Sequence, residues 1–402
     1  MEKAVSPKPL QGIRILDLSR ILAGPWCSQQ LADLGAEVIK IEKPGEGDDT
    51  RRWGPPWLEG GESAYYLAAN RGKQSVTIDI AQPEGAALVK QLVLHADVLL
   101  ENFKVGGLQK YGLDYASLQA LKPELIYCSI TGFGQDGPYA QRAGYDFMIQ
   151  GMGGIMSLTG EPDGVPLKTG VAFADIFTGL YAANAILAAL IQRSHTGLGT
   201  YIDLALLDVQ VGVLANQAMN YLSSGQVPQR LGNAHPNIVP YQAFATRDGH
   251  LILAVGNDAQ FKRFCQVAEC EALAHDERFA TNAQRVAYRE VLIPLLLEPL
   301  RRYTTAEWLA KLEQVGVPCG PINPLDSVFA DPQVQHRKLV IQRQHSQAGE
   351  INLVSNPVRF DGNALNAATA PPLLGEQTEQ VLQQILGMNE AEVTALKQKQ
   401  LI

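Results

Sequence analysis

A short apolar run of the kind found in β-strands stands near the start of the sequence: Gly12-Ile13-Arg14-Ile15-Leu16-Asp17-Leu18. A loop over residues 19–25 follows, and then a helical stretch that ends before Gly35. A second strand comes next, Glu37-Val38-Ile39-Lys40-Ile41-Glu42, and it closes at Pro44. Strand, helix and strand in this order predict a βαβ unit, in which the two strands lie parallel. We therefore expect an α/β fold built on a parallel sheet.

The alternation of strands and helices continues to about residue 131. Further strands are predicted at residues 75–80, 97–103 and 125–130, with helices between them. The first strand-to-helix turn lacks the G-x-G-x-x-G pattern, so nicotinamide or flavin binding is not expected there. Parallel sheets place ligands beyond the carboxyl ends of their strands. The loops that follow these strands are therefore expected to line one crevice.

The character of the sequence changes after residue 222. Residues 223–240 form an irregular loop that we interpret as a linker. Two short strands follow, joined by Arg247-Asp248-Gly249, which is a hairpin signal, and amphipathic helices come after them. We therefore expect the first part of a large domain over 1–222, a linker over 223–240, a small α+β domain over 241–317 and a return segment over 318–402 that completes the large domain.

Composition limits the classes of partner. The net charge of −8 argues against nucleic acid as the main partner, because phosphate binding needs a basic surface. The five cysteines are scattered without a C-x-x-C pair, so neither a zinc site nor a disulfide framework is expected, and a reducing, cytoplasmic setting fits. Residues 1–9 contain no apolar segment of the export type. An apolar stretch after Asp175 is interrupted by Asn184, and we interpret it as core rather than a membrane span.

One acidic residue, Asp175, interrupts a small and apolar segment that runs from Lys168 to Tyr181. The Ala- and Leu-rich sequence that follows predicts a buried helix running to Arg193, with Asp175 near its first turn. An Asp in this place is often only a helix cap. Thr178, however, stands where a capping box would have Glu or Gln. We therefore expect a partly desolvated, reactive carboxylate at Asp175.

Six motifs, in this order along the chain, carry a resemblance to a known family. They are Leu16-Asp17-Leu18-Ser19-Arg20-Ile21-Leu22-Ala23-Gly24-Pro25, Gly35-Ala36-Glu37-Val38-Ile39-Lys40-Ile41-Glu42, Glu101-Asn102-Phe103, Gly132-Phe133-Gly134-Gln135-Asp136-Gly137-Pro138, Gly144-Tyr145-Asp146 and Ala174-Asp175. From about Leu10 to Leu386 the sequence resembles the family III CoA-transferases, which include formyl-CoA, carnitine and succinyl-CoA–dicarboxylate transferases. The resemblance implies an interlocked, ring-like homodimer, with a Rossmann-like large domain and a smaller one in each subunit.

The resemblance also implies a chemical role for Asp175. Its carboxylate attacks an acyl-CoA thioester to form a mixed anhydride, and the expelled thiolate then attacks the aspartyl carbonyl to leave an aspartyl-CoA thioester. Coenzyme A thioesters are substrates in this scheme, so no cofactor and no metal is expected. Asp146 matches an acidic residue that the family places beside the nucleophile.

Further positions are similar to residues that contact CoA in the family, and others are candidates for recognising the acids. The expected CoA contacts are Arg20, Ile21, Ala23, Lys43, Arg71, Lys73, Asn102, Phe103, Lys110 and Arg142. The residues expected to recognise the acids are Leu22, Arg52, Arg230, His235, Gly256 and Asn257. A dicarboxylic acceptor such as glutarate, itaconate, mesaconate or citramalate needs a cation for its distal carboxylate, and Arg52, Arg230 and His235 are the candidates. Leu22 and the Gly256–Gln260 segment depart from the formyl-CoA branch and favour succinyl-CoA with dicarboxylic acids.

Three alternatives stay open from the sequence. An α-methylacyl-CoA racemase of the same fold would carry His at Tyr145, and Tyr is a poor proton shuttle at neutral pH. A formyl-CoA:oxalate transferase is the second alternative. A catalytically silent CoA-binding protein is the third, and it would predict that Asp175 can be replaced without loss.

Overall fold

The structure is a computed structural model in which residues 8–402 are described. The expectation of no export signal concerns residues 1–9, and residues 1–7 of that segment lie outside the described part. The chain forms two compact units. The larger one comprises the described residues up to Ile155, Thr169–Met219 and Gln335–Ile402, and the smaller one comprises Met156–Lys168 and Asn220–Val334.

The larger unit is built on a six-stranded sheet. Its strands are β1 (Arg14–Asp17), β2 (Glu37–Glu42), β3 (Lys73–Thr77), β4 (Val98–Glu101), β5 (Ile126–Thr131) and β6 (Tyr201–Ala205). They lie in the order β3-β2-β1-β4-β5-β6, and every neighbouring pair is parallel. This strand order is that of doubly wound Rossmann folds. The predicted α/β fold with a Rossmann-like parallel sheet is confirmed.

Successive residues of a strand point to opposite faces of the sheet, so these apolar strands give the sheet an apolar surface on each face. Helices therefore cover both faces. Ile15 and Val38 belong to the core on one face, whereas Leu16 and Ile39 belong to the core on the other. Up to residue 224 the helices are α1 (Ala23–Asp33), α2 (Ala64–Leu67), α3 (Pro83–Leu94), α4 (Tyr115–Leu121), α5 (Asp146–Met152), α6 (Ile155–Leu158), α7 (Phe173–Thr196), α8 (Leu206–Gly212) and α9 (Ala215–Ser224).

The helix that carries Asp175, α7, packs tightly against α1 on one side. A Cβ atom added to Gly179 would lie 2.6 Å from the carbonyl oxygen of Ala23, so only glycine permits this approach. The opposite side of α7 exposes Leu180, Tyr181 and Ile191. The helix is therefore buried along one face only, whereas its sequence predicts a helix buried on all sides. Within residues 8–402 it is the one helix long and apolar enough to cross a bilayer, judged by length and composition alone.

The smaller unit contains an antiparallel sheet covered by helices. The sheet consists of β7 (Tyr241–Ala245), β8 (His250–Ala254) and β9 (Cys319–Pro321), so the hairpin predicted around Arg247-Asp248-Gly249 is present. The helices are α10 (Asp258–Val267), α11 (Glu271–His275), α12 (Asn282–Ala287), α13 (Arg289–Leu300), α14 (Thr305–Gln314) and α15 (Leu325–Ala330), while α16 (Pro332–His336) begins in this unit and ends two residues after its last residue, Val334.

The unit boundaries differ from the expected 223–240 and 241–317. Residues 156–168 join the smaller unit because Arg230 donates hydrogen bonds to the carbonyl oxygens of Glu161 and Gly164. At the other boundary, β9 pairs with β8 and keeps the chain in the smaller unit beyond residue 317.

The C-terminal segment belongs to the larger unit. It contains β10 (Val340–His345), β11 (Gly349–Val354), β12 (Arg359–Phe360), β13 (Asn363–Ala364), α17 (Thr378–Leu386) and α18 (Glu390–Gln398). The hydroxyl of Thr378 accepts a hydrogen bond from the backbone N–H of Thr77 at 3.0 Å, which attaches α17 to the edge strand β3.

Candidate active site

A pocket of about 430 Å³ lies at the carboxyl edge of the parallel sheet in the larger unit. The predicted site residues that line it are Arg20, Ile21, Leu22, Ala23, Asn102, Phe103, Lys110, Arg142, Asp146 and Asp175. A second pocket of about 300 Å³ shares Arg20, Phe103 and Tyr111 with the first and is also lined by Lys43. Together the two pockets form the crevice expected beyond the strand ends.

Asp175 stands in the first turn of α7, as the sequence predicts, but it is not the cap. The N-cap residue is Ala172, whose methyl group cannot accept a hydrogen bond. The carboxylate of Asp146, the first residue of α5, fills that role from another helix. One of its oxygens accepts hydrogen bonds from the backbone N–H groups of Ala174 at 2.8 Å and Asp175 at 3.2 Å. The Asp175 carboxylate therefore does not cap its own helix.

A buried glutamine fixes the second oxygen of Asp146. The side-chain Nε2 of Gln150 donates to it at 2.7 Å. The Oε1 of the same amide accepts the backbone N–H of Thr169 at 2.9 Å, which assigns its orientation. Asp146 thus has hydrogen-bond donors on both oxygens, and its position beside Asp175 is set by α5, by α7 and by the segment that leads into α7.

Burial, together with the smaller effect of the nearby charge of Asp146, raises the pKa of the Asp175 carboxyl from 3.8 to about 7. The α7 N-terminus does not outweigh these two effects. About half of the Asp175 side chains are therefore ionised near pH 7. The ionised form is thus present at neutral pH and is weakly solvated, and both properties favour a carboxylate as a nucleophile.

The first loop, Ser19 to Ile21, is held by side chains along its backbone. Asn102 accepts the backbone N–H of Arg20 at 2.9 Å and donates to its carbonyl at 2.8 Å. The buried Asp48 accepts the N–H of Ile21, which has a left-handed φ of +73°. A β-branched residue in this conformation is strained and needs such support. Both polar groups of the Asn102 side chain therefore hydrogen-bond to the loop and position it.

Sequence reasoning missed three residues of this site: Gln150, Asp48 and Tyr65. Burial raises the pKa of the Tyr65 hydroxyl, and the charges of Asp175 and Asp146 raise it further, which places the phenol near both carboxylates. Its ring meets Trp53 edge-on, with ring centroids 5.2 Å apart. Tyr65 lies in the short helix α2, and a lone aromatic residue there gives no signal of its own in the sequence.

The comparisons with known proteins agree over nearly the whole chain. The family model described as CoA-transferase family III matches residues 10–378. The chain is 54% identical over 382 residues to succinate–glutarate CoA-transferase of Agrobacterium fabrum, which covers 94% of this chain and 96% of that protein. It is 45% identical over 389 residues to the succinyl-CoA:glutarate CoA-transferase of Homo sapiens, with 97% and 89% covered.

The chain belongs to CoA-transferase family III. The solved structures agree with this assignment. A crystal structure of a CaiB/BaiF family protein from Brucella suis has a TM-score of 0.84 and 54% identity, with 94% of this chain and 100% of that chain covered. The family resemblance inferred from the six motifs is confirmed, and the family implies acyl-CoA and carboxylate substrates.

Two cationic side chains of this family III CoA-transferase line the 430 Å³ pocket that contains Asp175 (the Asp175 pocket), and each lies over an aromatic ring. The guanidinium of Arg142 lies 4.6 Å from the ring centroid of Tyr139, and the ammonium of Lys110 lies 4.7 Å from that of Tyr111. Among residues 8–402, neither side chain has an ion-pair partner. Both are therefore available to the phosphates of an acyl-CoA. Lys43 lines the second pocket and forms an exposed ion pair with Glu46.

The structure argues against a phosphate-binding role for Arg71 and Lys73. Both are buried, and each already has an anionic partner inside the protein. The guanidinium of Arg71 pairs with Asp33 at 2.5 Å, and the ammonium of Lys73 pairs with Asp17 at 3.3 Å. A phosphate could reach neither cation without separating a buried pair.

Of the residues expected to bind the acids, Leu22 alone lines the Asp175 pocket. Arg52 is exposed and donates to the carbonyl oxygen of Glu46 at 3.3 Å. In the smaller unit, Asn257 caps α10, and the N–H of Gly256 donates to Gln260.

The other two expected acid-binding residues, Arg230 and His235, also belong to the smaller unit. Arg230 donates from two of its nitrogens to carbonyl oxygens, at 3.2 Å and 2.7 Å. Burial and the nearby Arg289 lower the pKa of His235, which keeps the ring neutral at pH 7. A neutral imidazole gives no ionic attraction, so this argues against His235 as the cation for a distal carboxylate.

No group of three or more His, Cys, Asp or Glu side chains is placed to hold a metal ion within residues 8–402.

Proposed function

We propose that this protein moves CoA from succinyl-CoA to a dicarboxylic acid, with glutarate as the foremost acceptor. The observation that carries the proposal is Asp175, a partly buried carboxylate with a pKa of about 7 at the wall of the crevice. The choice of acids is supported by the two relatives named for succinate or succinyl-CoA and glutarate, at 54% and 45% identity.

The reaction proceeds by carboxylate chemistry throughout. The Asp175 carboxylate attacks the thioester carbonyl of succinyl-CoA, the C–S bond breaks, and a mixed anhydride and CoA thiolate form. The thiolate attacks the aspartyl carbonyl of the anhydride and releases succinate, which leaves CoA on Asp175 as a thioester. The acceptor carboxylate then attacks this thioester, and the same steps in reverse deliver acyl-CoA and free Asp175. No cofactor is consumed, because one acyl bond is exchanged for another.

The crevice contains the side chains that these reaction steps require. Lys110 and Arg142 line the crevice, which supports a role for both in neutralising CoA phosphates, and the first loop around Arg20 and Ile21 forms one of its walls. Asp146 holds the N-terminal turn of α7, so the Asp175 backbone stays in place while its side chain is acylated.

The distal carboxylate of the acceptor requires a cation, and we propose Arg230 or Arg52 for it. Arg52 is exposed and has one hydrogen bond to a backbone carbonyl. Arg230 is held by two backbone carbonyls and has no acidic partner among residues 8–402. A guanidinium oriented by neutral acceptors keeps its full charge for a ligand.

We also propose that the protein acts as a homodimer. The exposed apolar face of α7, with Leu180, Tyr181 and Ile191, supports a protein partner on that surface. Light scattering of the purified protein tests this directly, and a monomeric mass at micromolar concentration would refute it.

The test of function is a panel of acids with succinyl-CoA as the donor. We expect glutarate and its dicarboxylic analogues to yield their CoA esters at rates at least ten-fold above butyrate. Arg230→Ala or Arg52→Ala should raise the KM for glutarate far more than for butyrate, with Arg301→Ala in the smaller unit as the matched control. Transfer from formyl-CoA to oxalate alone, or exchange of an α-proton into deuterated water without transfer, would contradict the proposal.

A further inference from the structure

The C-terminus of helix α10 places two cysteines at paired positions of one capping motif. The backbone N–H of Cys270 donates to the carbonyl oxygen of Cys265 at 2.9 Å, and the N–H of Glu269 donates to that of Gln266 at 3.2 Å. Glu269 has the left-handed φ of +52° that this turn requires. These bonds define a Schellman motif, in which the side chains three residues before the cap and two after it contact one another. In this chain both of those side chains are thiols.

The two thiols are close enough to form a disulfide. The side-chain contact of the motif brings the two thiols close enough for each to shift the pKa of the other. A backbone hydrogen bond between the same two residues brings their Cα atoms to within roughly the 4.4–6.8 Å that a disulfide spans. Cys265 is buried in the core of the smaller unit, while Cys270 is partly exposed. An oxidant from solution therefore reaches Cys270 first.

The surroundings of the pair favour reaction at Cys270. The Glu269 carboxylate accepts hydrogen bonds from Arg302 at 3.3 Å and from the Tyr303 hydroxyl at 3.2 Å, which holds the turn in its left-handed conformation. The neighbouring Cys265 thiol and, to a smaller extent, the positive charge of Arg302 lower the pKa of the Cys270 thiol. A thiolate with a second thiol in contact is the arrangement of redox-reactive cysteine pairs.

We propose that Cys270 and Cys265 form a peroxide-reactive pair that closes to an intramolecular disulfide at the end of α10. The Cys270 thiolate attacks one oxygen of hydrogen peroxide, the O–O bond breaks, and the departing hydroxide takes up a proton to become water. Cys270 is then a sulfenic acid. The sulfur of Cys265 attacks the Cys270 sulfur, the S–O bond breaks, and a second water leaves with the Cys265 proton. Two thiols are oxidised by two electrons, and one peroxide is reduced to two waters.

The protein contains two internal controls. Cys27 and Cys128 are close enough for the charge of one to raise the pKa of the other, but both are fully buried in the larger unit. Cys319 is partly exposed in the smaller unit, and burial and the charge of Glu313 raise the pKa of its thiol. Cys27 and Cys128 are close together but inaccessible to an oxidant in solution. Cys319 is accessible, but the pKa of its thiol is not lowered.

The experiment treats the reduced full-length protein with hydrogen peroxide, blocks the remaining thiols with N-ethylmaleimide and maps the peptides by mass spectrometry. We expect a Cys265–Cys270 disulfide to form at least about ten-fold faster than any oxidation of Cys319, while Cys27 and Cys128 stay reduced in folded protein. Cys265→Ser should stop the reaction at a Cys270 sulfenic acid that dimedone traps, and Cys265→Ala provides the same test if the serine variant fails to fold.

Oxidation of Cys319 as fast as Cys270 would overturn the proposal. So would disulfides that join other cysteines, or the absence of a Cys265–Cys270 bond when peroxide is in excess. The mapping of the wild-type protein decides these outcomes without any variant.

Discussion

The carboxylate of Asp146 accepts a hydrogen bond from the backbone N–H of Asp175 at 3.2 Å. The same residue therefore has two opposed effects on the nucleophile. It stabilises the first turn of α7, which fixes the Asp175 backbone, and its negative charge raises the pKa of the Asp175 side chain. A neutral residue at 146 separates these effects, because an amide oxygen can still accept a hydrogen bond but carries no charge.

Asp146→Asn should therefore shift the pH dependence of the reaction. In the wild type, kcat/KM for succinyl-CoA should rise with pH through an inflection at about 7, where Asp175 becomes ionised. Removal of the Asp146 charge should move that inflection to lower pH. The measurement is the pH profile of kcat/KM for both proteins.

The control for this variant is Asp114→Asn, which changes another aspartate that caps a helix, α4, through Ser117. It should lower the free energy of unfolding by up to about 1 kcal/mol and leave the pH inflection in place. An unchanged inflection in Asp146→Asn, or an equal shift in both variants, would show that Asp146 does not tune Asp175.

The raised pKa of Asp175 also predicts how stability depends on pH. Because its folded-state pKa of about 7 exceeds the ordinary 3.8, the folded protein resists ionisation of this group. The resulting loss of stability is small near pH 4, grows as pH rises to about 7 and is constant above that. Asp175→Asn should therefore unfold at nearly the wild-type temperature near pH 4 and be more stable by on the order of 2–4 kcal/mol at pH 8. Equal differences at both pH values would contradict this.

The bounds of the strands could be predicted from the sequence more closely than the ion-pair and hydrogen-bond partners of the charged side chains. The strand Glu37–Glu42 was predicted with the bounds that the structure has, because a short apolar run closed by Pro44 has few alternatives. For helix α14, in contrast, the sequence predicts Thr305 as the N-cap. The N-cap in the structure is Thr304, because Thr304 and Glu307 form a capping box. Local signals thus place an element to within a residue or two.

Long-range pairing is what the sequence could not provide. Asp146 and Asp175 are 29 residues apart, and nothing local shows that one caps the helix of the other. Arg71 and Lys73 look like surface cations, yet their partners Asp33 and Asp17 are buried beside them. Whether a basic residue is free for a phosphate depends on which acid the fold brings to it.

Substitution of these cations distinguishes the two groups. Arg142→Ala and Lys110→Ala should raise the KM for succinyl-CoA about ten-fold or more, with little change in the unfolding temperature, because each removes a cation from the crevice. Arg71→Ala should instead cost about 3–5 kcal/mol of stability by leaving Asp33 buried without its partner. Steady-state kinetics and thermal unfolding of the same preparations check both. A selective KM effect in a stable Arg71→Ala protein would restore Arg71 as a phosphate ligand.

Asn102 positions the first loop through both of its hydrogen bonds to Arg20. Asn102→Asp keeps the acceptor but replaces the donor with a charged oxygen opposite a carbonyl. It should therefore impair succinyl-CoA binding at least as strongly as Asn102→Ala, by about ten-fold in KM, without moving the pH inflection. Full activity in both variants would show that the loop needs no such support.

In the proposed reaction CoA becomes covalently attached to Asp175, and trapping that species is the decisive experiment. The protein is incubated with succinyl-CoA and hydroxylamine, or quenched with borohydride, and the digested peptides are analysed by mass spectrometry. We expect a hydroxamate, or a reduced alcohol, at Asp175 of the wild type and none in Asp175→Ala. Continued transfer without any modification of Asp175, or the same transfer rate in Asp175→Ala, would contradict it.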